Sequence, residues 1–118
     1  MTVDKRKVLI IDDEPELLIT IEAILEIKGY ECFLASNGYD GVEKARQYCP
    51  DIVLTDIVMP VMNGVDACRE ILSTNPDTKV IFMTGYGTDH PLVNEAHHIA
   101  GGNLLHKPFQ FDELFKLF

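Results

Sequence analysis

The segment IVLTD at residues 52–56 is a run of strand-forming residues that ends in a single carboxylate. An apolar run of this length is typical of a strand that is buried on both faces of a sheet. A second run, VLII at residues 8–11, leads directly into Asp12 and Asp13. Ligands and chemistry in an α/β sheet lie at the carboxyl ends of the strands. Asp12, Asp13 and Asp56 are therefore the first candidates for the function.

The rest of the chain alternates further apolar runs with amphipathic helical segments. The predicted strands cover residues 8–11, 30–35, 52–55, 80–83 and 104–106. Five strand–helix pairs predict an α/β fold, with a parallel sheet covered by helices on both faces. If the first strand lies beside the third, the fold is the doubly wound (βα)5, flavodoxin-like one with strand order 2-1-3-4-5. In that order the carboxyl ends of the strands meet at one edge.

Length and composition predict one domain over residues 1–118, because 47% hydrophobic residues are enough for a single core. The last predicted helix carries Phe111, Leu114, Phe115 and Phe118, and has barely two turns when the sequence stops. So apolar a terminus suggests a domain excised from a longer polypeptide, with its last helix truncated. A short native C-terminus stays open as the alternative.

Charge and cysteine usage exclude several functions. The formal net charge of −9 argues against direct binding to nucleic acid. The apolar runs are too short to span a membrane or to act as a signal peptide, so we expect a cytoplasmic protein. Cys32, Cys49 and Cys68 are predicted to be small buried residues, not a disulfide framework. The four histidines lack a metal-ligand pattern, and they are predicted to be surface or packing residues.

The predicted strands deliver reactive side chains to one edge: Asp12 and Asp13 from the first, Asp56 from the third, Thr84 from the fourth and Lys107 from the fifth. Two like charges about 4 Å apart repel by roughly 4 kcal/mol at an effective dielectric constant near 20. Three carboxylates at this edge therefore need a cation. Mg²⁺ is the best candidate, with Mn²⁺ as an alternative, because it takes a few carboxylate oxygens together with water and phosphate. Lys107 would add a compact positive charge.

These residues, in this order, also resemble a known family. The matching motifs are Asp12-Asp13, Asp56 with Met59-Pro60 and Gly64, Thr84-Gly85, and Lys107-Pro108-Phe109. Together they resemble a receiver domain of a two-component response regulator, and the resemblance covers essentially the whole chain. Taken singly, Asp12-Asp13 could instead cap the first helix, and Asp56 could be a turn residue.

The resemblance implies specific roles. Asp56 would be the phosphoacceptor, with Thr84 and Lys107 assisting. The metal would be held by Asp13 and Asp56, by Asp12 through water, and by the main-chain carbonyl of Val58.

The resemblance also implies partners. The phosphoryl group would come from a histidine kinase or a histidine phosphotransfer protein, and the signal would pass to an output domain or a downstream protein. The domain would phosphorylate and dephosphorylate itself and would not be a turnover enzyme. The parent could be a response regulator or a hybrid histidine kinase, and a phosphorylation-dependent homodimer stays open.

The sequence departs from the family pattern at three positions. Leu104 stands where most receivers carry Tyr or Phe. Val58 and Tyr86 stand where the residues that tune dephosphorylation are usually found, and neither is an acid or a carboxamide.

Two other functions can be weighed against the same residues. An aspartyl-phosphate phosphatase of the haloacid dehalogenase type would need an acid at Val58. A flavodoxin-like cofactor domain would need a phosphate-binding loop where Asp12 and Asp13 lie.

Overall fold

The computed structural model describes residues 5–118. Its single sheet has five parallel strands in the order β2-β1-β3-β4-β5, so the predicted fold class and strand order are confirmed. The strands are β1 (Lys7–Ile11), β2 (Glu31–Ala35), β3 (Ile52–Asp56), β4 (Lys79–Thr84) and β5 (Leu104–His106). The helices are α1 (Pro15–Ile27), α2 (Gly38–Tyr48), α3 (Gly64–Thr74), α4 (Pro91–Ala100) and α5 (Phe111–Lys116).

Both faces of the sheet are covered by helices, which explains the unbroken apolar runs of β1 and β3. Along β1, Leu9 and Ile11 point to a core shared with α2, α3 and α4. Val8 and Ile10 point to a second core shared with α1 and α5. This alternation is the two-residue period of a strand, here with apolar side chains on both faces.

Parallel pairing aligns the carboxyl ends of the strands. Asp56 of β3 pairs with Met83 of β4, and Thr84 pairs with His106 of β5. The ladder continues one step further, because the Lys107 N–H donates to the Thr84 carbonyl at 2.7 Å. Residues that are far apart in the sequence therefore reach the same edge.

Gly64 brings the start of α3 against the end of β3. A Cβ at this position would lie 1.9 Å from the Asp56 carbonyl oxygen, so only glycine fits. The Gly64 N–H donates to the Ile57 carbonyl at 2.8 Å. Asn63 caps α3 by accepting from the Asp66 N–H.

Three expectations are corrected. Cys49 is exposed, because α2 runs to Tyr48 and leaves Cys49 at its C-cap with φ of 48°; Cys68 is buried and Cys32 partly so. The last helix ends at Lys116, so Phe118 lies outside it, with its ring 5.2 Å from that of Tyr30. Several strand ends also differ from prediction by a residue. Within residues 5–118, no helix is both long and apolar enough to cross a membrane.

Candidate functional site

Three carboxylates meet where β1 and β3 end. Asp12, Asp13 and Asp56 each place an oxygen within 4.8 Å of the others. Asp12 is fully buried and Asp56 is 7% exposed, whereas Asp13 is open to solvent. The cluster is therefore closed toward the core and accessible from the side of Asp13.

Lys107 is the cation that contacts this cluster. Its Nζ lies 2.7 Å from Asp12 Oδ2 and 3.5 Å from Asp56 Oδ2. The Glu14 carboxylate is a further neighbour at 3.6 Å, on a largely exposed side chain. The sequence did not predict Glu14 as part of the site, although its position directly after the acidic pair was a usable signal.

Both oxygens of Asp12 have partners. Oδ2 accepts from Lys107, and Oδ1 accepts from the Glu14 N–H at 2.9 Å. Glu14 is itself the N-cap residue of α1 and makes no side-chain cap bond. Asp12 thus orders the start of α1 and holds Lys107 at the same time, so its structural and functional interpretations are compatible.

Burial and neighbouring charges shift the pKa values of Asp12, Asp56 and Lys107. Burial raises the pKa of Asp56 to about 6, and the charge of Asp12 adds to that rise while Lys107 opposes it. Burial also raises the pKa of Asp12. Burial alone would lower the pKa of Lys107, but its hydrogen bond to Asp12 and the charge of Asp56 raise it above the ordinary value. Lys107 brings one positive charge to a cluster of three carboxylates.

The donor set suits a hard divalent cation. Carboxylate oxygens that are accessible from one side match Mg²⁺, which takes a few protein oxygens and keeps several waters. Val58 follows Asp56 by two residues, and its side chain is partly buried against the core shared with α2, α3 and α4. A role for the Val58 carbonyl in metal binding stays a prediction.

Thr84 ends β4 at the same edge. Its side chain is fully buried, and its Oγ1 accepts from the main-chain N–H of Tyr86 at 3.0 Å. The hydroxyl proton can still be donated, because a hydroxyl both donates and accepts. Thr84 therefore reaches the predicted edge while it also folds the loop that follows.

The β4–α4 loop has a contact that the sequence did not reveal. His90 caps α4, and its Nδ1 accepts from the Leu92 N–H at 3.1 Å. The Tyr86 ring lies 5.0 Å from the His90 ring. The histidine was predicted to be a surface or packing residue, although its place before Pro91 and an apolar helical run is typical of a helix start.

Leu104 pairs with Phe82 and packs, partly buried, against the core of the α2–α4 face. The position that is usually aromatic therefore carries an aliphatic side chain here. On the other face, a groove of about 510 Å³ opens beside Lys107, with Leu17, Phe109 and Phe111 among its lining residues.

The α/β fold and the acidic site together define a class of domain, and comparison with known proteins gives the family. Residues 8–118 match the family described as the response regulator receiver domain. The chain is 39% identical to the chemotaxis protein CheY of Thermotoga maritima over 106 residues, which are 89% of this chain and 88% of that protein. It is 35% identical to the transcriptional regulatory protein ZraR of Klebsiella oxytoca, over 97% of this chain but 26% of that protein.

A solved structure agrees with these sequence matches. The response regulator protein TrrA of Thermotoga maritima, in complex with Mg²⁺ and BeF, superposes with a TM-score of 0.81 and 31% identity, over 96% of this chain and 99% of that one. The chain belongs to the response regulator receiver domain family, a signalling class of two-component systems. The resemblance predicted from the motifs is confirmed, and it favours signalling over the phosphatase and cofactor-domain alternatives.

Proposed function

We propose that this domain accepts a phosphoryl group on Asp56, in a Mg²⁺-dependent reaction, and passes the resulting change to an output domain or a downstream protein. The donor is a phosphohistidine of a histidine kinase or of a histidine phosphotransfer protein. The observation that carries the proposal is the position of the Asp56 carboxylate. Its Oδ2 lies 3.5 Å from Lys107 Nζ, and one of its oxygens lies within 4.8 Å of carboxylate oxygens of Asp12 and Asp13.

The metal-binding residues are proposed on the same basis. Asp13 and Asp56 would hold Mg²⁺ directly, Asp12 through water, and Val58 through its carbonyl, with Mn²⁺ as a substitute. When bound, the cation supplies positive charge for the acids and the phosphoryl oxygens. The raised pKa of Asp56 supports this assignment, because burial, and after it the charge of Asp12, disfavours the ionised carboxylate that a cation would stabilise.

The transfer itself needs positioning more than covalent assistance. An Asp56 oxygen attacks phosphorus, the O–P bond forms, and the N–P bond of the phosphohistidine breaks with its electron pair going to the imidazole. Lys107 lies close enough to exchange a carboxylate contact for a phosphoryl oxygen. Thr84 can donate its hydroxyl proton to another phosphoryl oxygen. Asp56 is phosphorylated and then dephosphorylated in each cycle, so the domain is a phosphoacceptor and not a turnover enzyme.

The groove beside Lys107 supports a protein as the donor. It is lined mainly by apolar side chains, Leu17, Phe109 and Phe111 among them, and it adjoins the site. A donor protein that covers this surface would bury apolar area while placing its phosphohistidine at Asp56.

The test is phosphorylation by a small donor. Incubation with acetyl phosphate and Mg²⁺ should add one phosphoryl group by intact mass. Asp56→Asn should abolish the addition, and chelation of the metal should suppress it. Asp77→Asn is the matched control, because Asp77 is exposed on the loop before β4, at the opposite edge of the sheet. Labelling of Asp56→Asn at the level of the control would contradict the proposal.

A further inference from the structure

The β4–α4 loop contains a continuous set of contacts from the buried hydroxyl of Thr84 to the first turn of α4. Thr84 Oγ1 accepts from the Tyr86 N–H at 3.0 Å. The Tyr86 ring lies 5.0 Å from the His90 ring, at an interplanar angle of 59°. His90 Nδ1 accepts from the Leu92 N–H at 3.1 Å. The set links the acceptor edge with a surface helix.

Each contact constrains the next. The Tyr86 N–H keeps its partner only while the Thr84 hydroxyl stays in place. Tyr86 is 51% exposed, and its ring contacts the His90 ring. The His90 Nδ1 carries no proton while it accepts this hydrogen bond, and the ring is oriented by both the cap and the contact with Tyr86.

Because residue 104 is a leucine, the usual aromatic side chain is missing there, and this set of contacts is an alternative link between Thr84 and the surface. Leu104 is partly buried against the core and pairs with Phe82, and it offers neither a ring nor a hydroxyl at the place that is usually aromatic. The ring pair of Tyr86 with His90 instead sits on the loop that Thr84 itself anchors.

Resting on the function proposed above, we propose that Tyr86 and His90 couple Thr84 to α4. When Thr84 turns its hydroxyl toward a phosphoryl group on Asp56, the Tyr86 N–H loses its side-chain acceptor and the contact between the Tyr86 and His90 rings opens. His90 then releases the Leu92 N–H, and the first turn of α4 loosens. Tyr86 and His90 are positioning residues here, and neither touches the phosphoryl group in this step.

The first experiment needs no phosphate. Thr84→Val removes the acceptor with little change in shape, and it should speed hydrogen exchange at the Leu92 amide about fivefold, the effect expected for loss of an N-cap. Thr84→Ser keeps a hydroxyl and should leave that rate unchanged. His90→Asn restores a capping oxygen without the ring, so Thr84→Val in this background should change the rate by less than about twofold. If Thr84→Val does not fold, Tyr86→Ala should produce the same acceleration.

The second experiment follows phosphorylation. With acetyl phosphate and Mg²⁺, and occupancy read by intact mass, the Leu92 amide of the wild type should exchange faster by a similar factor. The response should disappear in Tyr86→Ala at equal occupancy. His98→Asn is the control, because His98 is exposed on the last turn of the same helix and should leave the response intact.

The outcomes separate the coupling from the function. An unchanged Leu92 rate in Thr84→Val, or an equal effect with and without the His90 ring, overturns the coupling. So does a phosphorylated wild type whose Leu92 rate does not move. Failure to phosphorylate, with the Thr84→Val effect present, contradicts the proposed function and supports the coupling.

Discussion

The two sides of the site are held by different kinds of interaction. At the ends of β1 and β3, Asp12 and Asp56 are buried carboxylates whose pKa values are raised, first by burial. After β4, Thr84, Tyr86 and His90 interact through neutral hydrogen bonds and a ring contact. Burial, and for Asp56 also the neighbouring acids, thus disfavours the ionised carboxylates, and a cation would stabilise them. In the β4–α4 loop, by contrast, the hydroxyl and the imidazole nitrogen both have hydrogen-bond partners. The difference is consistent with the two proposals, in which the acids accept the phosphoryl group and the loop after β4 responds.

The cost of ionising the buried Asp56 should be measurable as a loss of stability of the folded domain. Because the pKa of Asp56 is raised from 3.8 to about 6, its stabilising effect is fully present below about pH 3.8 and is lost as pH rises through 6. The loss corresponds to ~3 kcal/mol. In chelator, Asp56→Asn should therefore be more stable than the wild type by up to that amount at pH 7.5, and by much less at pH 4.

Urea unfolding at the two pH values measures this difference. The exposed control Asp77→Asn should follow the wild type at both. If the wild type is as stable as Asp56→Asn at pH 7.5 without metal, ionised Asp56 does not destabilise the fold. The contrast between the acids at the ends of β1 and β3 and the β4–α4 loop would then be lost.

The lifetime of the phosphoryl group tests what the two loops do together. Hydrolysis needs a water in line with phosphorus, and neither Val58 nor Tyr86 can hydrogen-bond that water as Asn or Glu could. Combining Val58→Asn with Tyr86→Glu should shorten the lifetime by about tenfold, or ~1.4 kcal/mol in the barrier. The decay of phosphorylated protein, followed by mass at fixed Mg²⁺, gives the rate. A double variant that decays no faster than the parent would assign the lifetime to the metal, Thr84 and Lys107.

The β3–α3 loop also stores backbone strain. Val61 has φ of 71° and is 88% exposed, and a β-branched residue is disfavoured in that region. Asn tolerates the conformation, so Val61→Asn should stabilise the domain by about 1 kcal/mol. Val61→Ile is the matched control and should bring no gain. Equal unfolding midpoints for all three proteins would mean that the Val61 backbone conformation does not destabilise the domain.

The smallest effect is expected at Asp13, because its side chain is exposed. Asp13→Asn should stabilise the metal-free domain by about 0.5 kcal/mol, as is typical of exposed charge pairs, and it should weaken Mg²⁺ binding. Stability and metal affinity should thus change in opposite directions, as seen by urea unfolding with and without a Mg²⁺ titration. Unchanged affinity together with lower stability would remove Asp13 from the metal site.

Much of this architecture could be predicted from the sequence. The apolar runs of β1 and β3 identified strands buried on both faces, and the residues directly after them had to share an edge once the sheet was parallel. Asp12, Asp56 and Lys107 were therefore brought together by topology. No detailed side-chain knowledge was needed for that prediction.

The features that sequence reasoning missed depend on the paths of loops. Glu14 reaches Lys107 because the chain turns at Asp12, and His90 caps α4 because the loop before it returns to the helix start. The exposure of Cys49 depends on the last residue of α2, and helix ends are the least defined part of a sequence pattern. These details are set by local hydrogen bonds, which the hydrophobic periodicity of the sequence does not reveal.

Thr84 has two oxygens that serve two different partners. Its carbonyl accepts from the Lys107 N–H at 2.7 Å, and its hydroxyl accepts from the Tyr86 N–H at 3.0 Å. A displacement of this residue therefore disturbs the segment that carries Lys107 and the segment that leads to α4 together. The two segments should respond cooperatively, so that partly phosphorylated samples contain two discrete populations and not a continuum of intermediate conformations.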